Sequence, residues 1–372
     1  MKNTEMTVAE IKAMYFNDDS LLVTPWPLYR YTYKGDRYYY YTDPEAGDYD
    51  PQDKPPVKFA VGVTTLTNAT IPKDEYYTKW VADMGFDEAI AYRDLRASYG
   101  SLMHTVIATM LIKKLCNLDL MDEVVANYCR VNSIVCNQQA WADDLRQDVL
   151  SFAQFVRDYN VRVKAIELSL VAPRLGLAGT LDIFCEMDYT EKGYYGETYA
   201  SGANKGQPKE TKRTVRVAAV IDNKSGRKTT GGVHNGAQLT ALRMLLKENY
   251  PQYADVPIRL YNWHPKDWRS APAYLLVDQT FTVSEAVVHN CLGNYAELYP
   301  AVEEKKRLEM FGVVQLETDG EEETTNYATP AVLALVQQAV NNGDITQQHY
   351  DLTDDFYNEN NNEDAEKQDN AG

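Results

Sequence analysis

Asp222 and Lys224 stand two residues apart at the end of the apolar run VRVAAVIDNKSG, and Asp182 stands at the end of GLAGTLD, an earlier run of similar character. In an extended strand residues i and i+2 share a face, about 7 Å apart at Cα, so Asp222 and Lys224 project side by side. If the run carrying Asp182 pairs with this strand as a hairpin, both carboxylates converge beside the lysine. Charges gathered at a strand end are costly unless something compensates them. Hard divalent cations such as Mg²⁺ or Mn²⁺ take one or two carboxylates together with backbone carbonyls and water. A neighbouring lysine can orient or deprotonate a water, or offset the charge that builds on a phosphate. A lone D-x-K is also common on salt-bridged sheet surfaces, so the surrounding elements decide which reading applies.

Those elements are legible as changes of pattern along the 372 residues. From 87 to 158 the text is helical; Trp141, Leu145, Val149, Phe152 and Val156 recur at helical spacing and give one helix an apolar stripe. VRVKAIELSLVAP (161–173), GLAGTLDIFCEMD (176–188) and TVRVAAVIDNKSG (214–226) are β-rich, bounded by Pro and Gly, and predict successive strands. In the second, Leu177, Gly179, Leu181, Ile183 and Cys185 are expected on one face and Asp182 on the other. A helix over 233–249 and strands over 256–263 and 273–280 follow. Sheet in the middle with helices before and after predicts an α/β (α+β) core, a central mixed sheet flanked by helices. Near the N-terminus, LYRYTYKGDRYYYYT (28–42) reads as a hairpin whose tyrosines either pack on a neighbouring element or stack bases.

GLAGTLD, VIDNKSG and the helix containing AQLTALRMLL, in that order, resemble the PD-(D/E)xK nuclease superfamily, in its RecB-like, phage-type exonuclease branch. Members share an acidic residue on one strand, (D/E)-x-K on the next, and a Gln opening the following helix. VGVTTLTNATIPKDEYYTKWVADMGFDEA is similar to the lead-in of phage-type members, YGSLMHTVIATML to their G-x-x-x-H helix, and AIELSLVAP to the strand with an upstream Glu. The resemblance covers roughly 60–280. It implies a restriction-endonuclease-like core with Asp182 and Asp222 as principal metal ligands, the backbone carbonyl of Asn223 completing the site, and Lys224 as the catalytic lysine. It also implies that Glu167 holds a second metal or its water, that His104 ligates metal, and that Gln238 positions substrate or water. Glu167 paired with an arginine, and His104 as a core histidine among Leu102, Val106 and Ile107, are the plain alternatives.

Ser225, Arg227 and Lys228 follow the lysine as candidates for phosphate contact. Leu242 stands where many members carry an aromatic, and Asn223 replaces the usual apolar residue, so its side chain needs a partner if buried. The implied activity is a Mg²⁺- or Mn²⁺-dependent deoxyribonuclease. The branch implies an exonuclease acting on linear DNA ends, single or double stranded, in recombination, repair or phage genome processing. A recombination or single-strand-binding protein is a candidate partner. No iron–sulfur cluster and no nucleotide cofactor are expected. The alternative is a catalytically inactive nuclease fold retained for DNA binding or assembly.

Composition bounds these readings. A chain with 44% hydrophobic and 24% charged residues, 20 Gly and 15 Pro is of ordinary globular type, which excludes collagen-like and low-complexity classes. No run approaches the ~18 apolar residues of a bilayer span. MKNTEMTVAEIKAMYF lacks a secretory-signal pattern, so a cytoplasmic address is expected, the host's cytoplasm if the chain is phage-encoded. Cysteines at 116, 129, 136, 185 and 291 fit neither a disulfide framework nor a paired CxxC zinc site and read as buried thiols.

A net charge of −17 argues as a whole against nucleic acid, yet it is unevenly spread. Residues 351–372 hold eight acidic residues against Lys367 and read as a disordered acidic tail. Lys212, Arg213, Arg216, Lys224, Arg227 and Lys228, by contrast, stand against Asp222 alone between 212 and 228. A Gly- and Tyr-rich insertion, 189–210, is expected to form a loop or hairpin over the site. Arg259, Lys266 and Arg269 extend the basic strip, with Trp263 and Trp268 either stacking bases or packing in the core. The chain divides into an N-terminal extension with the Tyr-rich hairpin (1–58), a nuclease-like domain (59–312), an acidic linker with a C-terminal helix (313–350) and the tail (351–372).

Overall fold

The β-rich text becomes one mixed sheet, whose strands are β1 (Leu28–Tyr33), β2 (Asp36–Thr42), β3 (Val57–Gly62), β4 (Arg162–Ala172), β5 (Leu177–Thr198), β6 (Pro208–Asn223), β7 (Ile258–Pro265), β8 (Tyr274–Asp278) and β9 (Glu323–Thr324). The structure is a computed structural model that describes residues 21–26, 28–33, 36–42, 57–73, 75–226, 232–299 and 323–324. The tail at 351–372 and the helix expected within 313–350 lie outside the described residues. Strand order is β8-β7-β6-β5-β3-β2-β1-β9, with β4 also paired to β5. Most pairs are antiparallel, but β6 and β7 run parallel, as do β3 and β5. Parallel neighbours need a crossover, and between β6 and β7 this is α6 (Gly232–Asn249). The other helices are α1 (Val63–Thr70), α2 (Glu75–Met84), α3 (Phe86–Lys113), α4 (Met121–Val131), α5 (Gln138–Asp158) and α7 (Glu285–Leu298).

Helices cover both faces of the sheet. On one face, Leu102, Met103 and Val106 of α3 and Leu145, Val149 and Phe152 of α5 pack on Ile183, Cys185, Ile221 and Trp263. The apolar stripe of α5 is thus the floor of a core, and each such side chain taken from water contributes roughly 1.5–3 kcal/mol. On the other face, Leu239, Leu242 and Leu245 of α6, with Leu66 of α1 and Val288 of α7, cover Leu181, Phe184, Val220 and Leu260. A third, smaller core joins Leu28, Tyr39, Tyr41 and Ala60 to Val171 and Ala178. The Tyr-rich hairpin therefore continues the main sheet, and Tyr39, Tyr40 and Tyr41 are buried, which is the packing role and not base stacking. Trp263 is likewise fully buried, edge-on to Phe152 at 5.0 Å, and Trp268 donates its Nε1–H to Ser151 Oγ at 3.0 Å.

Two expectations are corrected. Leu177, Gly179, Leu181, Ile183 and Cys185 do not share one face: Leu181 and Leu177 feed the second core, while Ile183 and Cys185 feed the first. The same exchange occurs in β4 between Ile166 and Leu168. The physical cause lies at Glu167, whose φ of 45° turns the strand over, and β5 follows through the ladder. Residues 189–210, moreover, do not fold over Asp182 and Asp222. They are the outer part of a long β5–β6 ribbon whose register runs from Ile183 opposite Ile221 out to Thr198 opposite Pro208, moving away from those carboxylates at every step.

β6 accompanies β5 only as far as Ile183, and β3 joins β5 at Leu177 and Ala178, so a gap opens beside residues 179–182. Gly179 lies at this fork. A Cβ there would stand 2.9 Å from Val63 Cγ2 and 3.1 Å from Leu242 Cδ2. Leu242 is thus a packing residue, buried against the strand. The five cysteines are free thiols, three of them buried. Among the described residues no helix is long and apolar enough to cross a membrane. Because Val63 is β-branched and cannot swing aside cheaply, Gly179→Ala is expected to destabilise the fold by about 1–3 kcal/mol, measured as a lowered urea midpoint at unchanged slope.

Candidate metal centre

Strand register places four polar residues in one row across the sheet. Glu167 of β4 lies opposite Asp182 of β5, the ladder from Ile183 and Ile221 puts Asp222 of β6 next in line, and Asn262 of β7 is paired with Asp222. The row crosses the fork, where main-chain pairing between β5 and β6 ends. There the Asp182 carboxylate takes over from the ladder and accepts the Asn223 N–H at 2.7 Å. Glu167 is the residue with φ of 45°, a conformation that costs a non-glycine residue of order 1 kcal/mol or more and clusters at functional sites.

The helix α3 crosses this row. Gly100 permits the approach, since a Cβ there would lie 3.1 Å from Ser225 Oγ, in the segment that follows β6. Arg96, one turn earlier, donates to the Ser225 carbonyl at 3.1 Å. One turn later, His104 Nε2 meets the Asn223 carbonyl oxygen at 2.7 Å. A carbonyl can only accept, so Nε2 carries the proton and Nδ1 faces the carboxylates, 3.4 Å from Asp182 Oδ2 and 3.8 Å from Glu167 Oε1. His104 Nδ1 and one oxygen each of Glu167 and Asp182 lie within 4.8 Å of one another. Such a set suits one cation, because ligand atoms about 2.1 Å from a metal stand some 3–4 Å apart.

Asp222 stands outside that closest donor set. Its Oδ2 accepts from Asn262 Nδ2 and is 2.7 Å from Lys224 Nζ, which also reaches Gln238 Oε1 of α6 at 3.4 Å. The structure therefore brings together Asp182, Glu167, His104, Asp222, Lys224, Gln238 and the Asn223 carbonyl, and it divides them into a His104–Glu167–Asp182 triad and an Asp222–Lys224–Gln238 group. The Asn223 side chain is buried, and its Oδ1 has no hydrogen-bond partner among the described residues.

Electrostatics follow from this crowding. Burial alone would keep His104 neutral, but Asp182 above all, then Glu167 and Asp222, raise it to about 9. Burial, with Asp222 and Glu167 beside it, pushes Asp182 upward against the pull of His104 and the Asn223 N–H. Burial lowers Lys224, and Asp222 more than reverses this, so the ammonium is favoured.

Ser225 lies against α3 beside the site, while Arg227 and Lys228 lie outside the described residues. Lys212, Arg213 and Arg216 are not brought to it. Arg216 is bound to Asp188 at 2.8 Å and to the Asn160 carbonyl, and Arg213 and Lys212 lie farther out on the ribbon. Arg259 is engaged by Asp278 and Glu191. Sequence reasoning missed Asn262 and His264, whose Nδ1 lies 3.0 Å from the Gly226 carbonyl. The available signal was a pair of polar residues at alternate positions, Asn262 and His264, in the buried inner half of the IRLYNWHP strand.

Compared with the sequence models of known protein families and with curated proteins, the chain matches none.

If the triad holds a cation, Mn²⁺ raises the melting temperature relative to EDTA, because a ligand that binds only the folded chain stabilises it. Asp182→Asn is expected to abolish that rise and, by removing a disfavoured buried charge, to melt higher than wild type in EDTA at pH 8.

Proposed function

We propose that the protein is a divalent-metal-dependent deoxyribonuclease with a restriction-endonuclease-like core of the PD-(D/E)xK, RecB-like kind. The observation that carries this reading is the row Glu167–Asp182–Asp222, with His104 from α3 on one side and Lys224 and Gln238 on the other. A surface salt bridge needs no such convergence of three carboxylates from three strands at a fork. An imidazole nitrogen together with carboxylate oxygens suits Mn²⁺ better than Mg²⁺, which prefers oxygen donors.

His104, Glu167 and Asp182 would hold the cation, which supplies charge neutralisation at a phosphate and lowers the pKa of water. The residues around it have separable tasks. The Asn223 carbonyl fixes the His104 tautomer through Nε2–H, keeping Nδ1 directed at Asp182 and Glu167. Asp222 and Gln238 accept two of the three donors of the Lys224 ammonium, so its position is set and its remaining N–H is available to a phosphate oxygen as negative charge develops there. Asn262 in turn holds the Asp222 carboxylate in place. DNA as the substrate, its ends as the point of attack, and a role in recombination, repair or phage genome processing rest on the resemblance of the motifs. Intact Asp182, Asp222 and Lys224 favour catalysis over a purely binding role.

Linear and circular DNA incubated with Mn²⁺, Mg²⁺ or EDTA test this directly. Loss of linear DNA alone, abolished by EDTA and reduced about 10³-fold or more in Asp222→Ala and Lys224→Ala, supports an exonuclease. Nicked circles would mean an endonuclease, and wild-type protein that shifts DNA without cleaving it in either metal would replace the enzyme by the binding protein.

A further inference from the structure

The outer β5–β6 ribbon has two unlike faces. On one, the charges are compensated: Glu191 lies 3.6 Å from Arg259, whose guanidinium covers the Tyr189 ring at 4.3 Å. Tyr195 lies over Gly193 and donates to Glu191, while Arg213 stands over the Tyr195 ring. On the other face Thr190, Lys192 and Tyr194 of β5 lie opposite Thr214, Lys212 and Glu210 of β6, and all six are exposed. Lys192 and Lys212 are direct cross-strand partners, and among the described residues neither has an ion-pair partner. Tyr194, next along this face, is 69% exposed.

Like charges directly opposite one another destabilise a ladder, and a two-stranded ribbon has little stability to lose. The ribbon from Asp188 to Arg216 nevertheless carries six basic residues against four acidic ones, in a chain whose net charge is −17. Its bare face offers two ammonium groups, two threonine hydroxyls and the Tyr194 ring against the single carboxylate of Glu210, a net positive surface with groups that bind phosphate and stack on sugars or bases.

We propose that this face, built on Lys192, Lys212 and Tyr194, is a second nucleic-acid contact that grips the phosphate backbone of the same DNA away from the point of cleavage. The proposal rests on the nuclease reading above. Lys212 and Asp222 are ten residues apart on one unbroken strand, so their Cα atoms are at most about 36 Å apart. At 3.4 Å per base pair, a duplex of about ten pairs spans both. The ribbon thus acts as an outrigger that holds substrate of more than minimal length, and it gives the acidic chain a local site of attraction.

The test is the salt dependence of DNA affinity, read by fluorescence anisotropy with a labelled duplex of about 20 base pairs in EDTA, where no cleavage occurs. Lys192→Ala/Lys212→Ala is expected to reduce low-salt affinity about tenfold and to flatten the slope of log K against log salt by about 2, one for each phosphate that the variant no longer neutralises. Lys192→Arg/Lys212→Arg retains the wild-type slope. Equal affinity and slope in wild type and the alanine variant would overturn the outrigger while leaving the nuclease reading intact. Wild-type protein that binds no DNA in EDTA at any salt would likewise overturn the outrigger, whereas absence of cleavage with Mn²⁺ and Mg²⁺ is what removes the nuclease reading.

Discussion

Three carboxylates held in register across three neighbouring strands repel one another, and the rest of the site is organised by that repulsion. Their backbone positions are set by the strands that carry them: Glu167 and Asp182 sit between paired residues of β4 and β5, and Asp222 is paired with Asn262 of β7. Compensation comes from the groups around these carboxylates: the imidazole of His104, the ammonium of Lys224, and the N–H groups of Asn223 and the Asn262 side chain. The crowding shows in both groups: burial first, then Asp222 and Glu167, pushes Asp182 upward, while the carboxylates raise His104 against the effect of its burial. A divalent cation between His104, Glu167 and Asp182 would offset the negative charge with two positive charges.

The scaffold is shaped to permit this arrangement. Gly179 lets α1 and α6 close on β5 beside the fork, Gly100 lets the segment after β6 lie on α3, and the positive φ of Glu167 turns β4 over where the row begins. Each is a local concession, an omitted side chain or a strained backbone, that brings distant parts of the chain to one point. Arg96 and His264 then hold the Ser225–Gly226 backbone from opposite sides, through α3 and β7. The first and second cores meet the sheet on opposite faces, so displacement of α3 or α6 would move His104 or Gln238 relative to the row.

Much of this was legible in the sequence for identifiable reasons. The i, i+2 rule placed Asp222 beside Lys224, and an apolar stripe and strand text bounded by Pro and Gly located α5, β4 and the inner halves of β5 and β6. The exchange of faces at Glu167 was not legible, because a glutamate with positive φ leaves no mark in an alternation pattern. Nor was the length of the ribbon: EKGYYGETY is short of apolar residues, and its pairing follows from continuation of a register established elsewhere. Asn262 reaches Asp222 across a parallel pair whose register depends on the α6 crossover, which periodicity cannot supply. The basic strip read between 212 and 228 separated in space because Lys212 and Lys224 lie at opposite ends of a strand.

Whether His104, Glu167 and Asp182 hold a cation is read most directly from the anomalous scattering of a crystal grown with Mn²⁺. The expected result is a Mn²⁺ peak bonded to His104 Nδ1 and to oxygens of Glu167 and Asp182, at about 2.0–2.3 Å. A well-ordered site without such a peak, with His104 still bridging the two carboxylates at saturating Mn²⁺, would contradict a metal centre there.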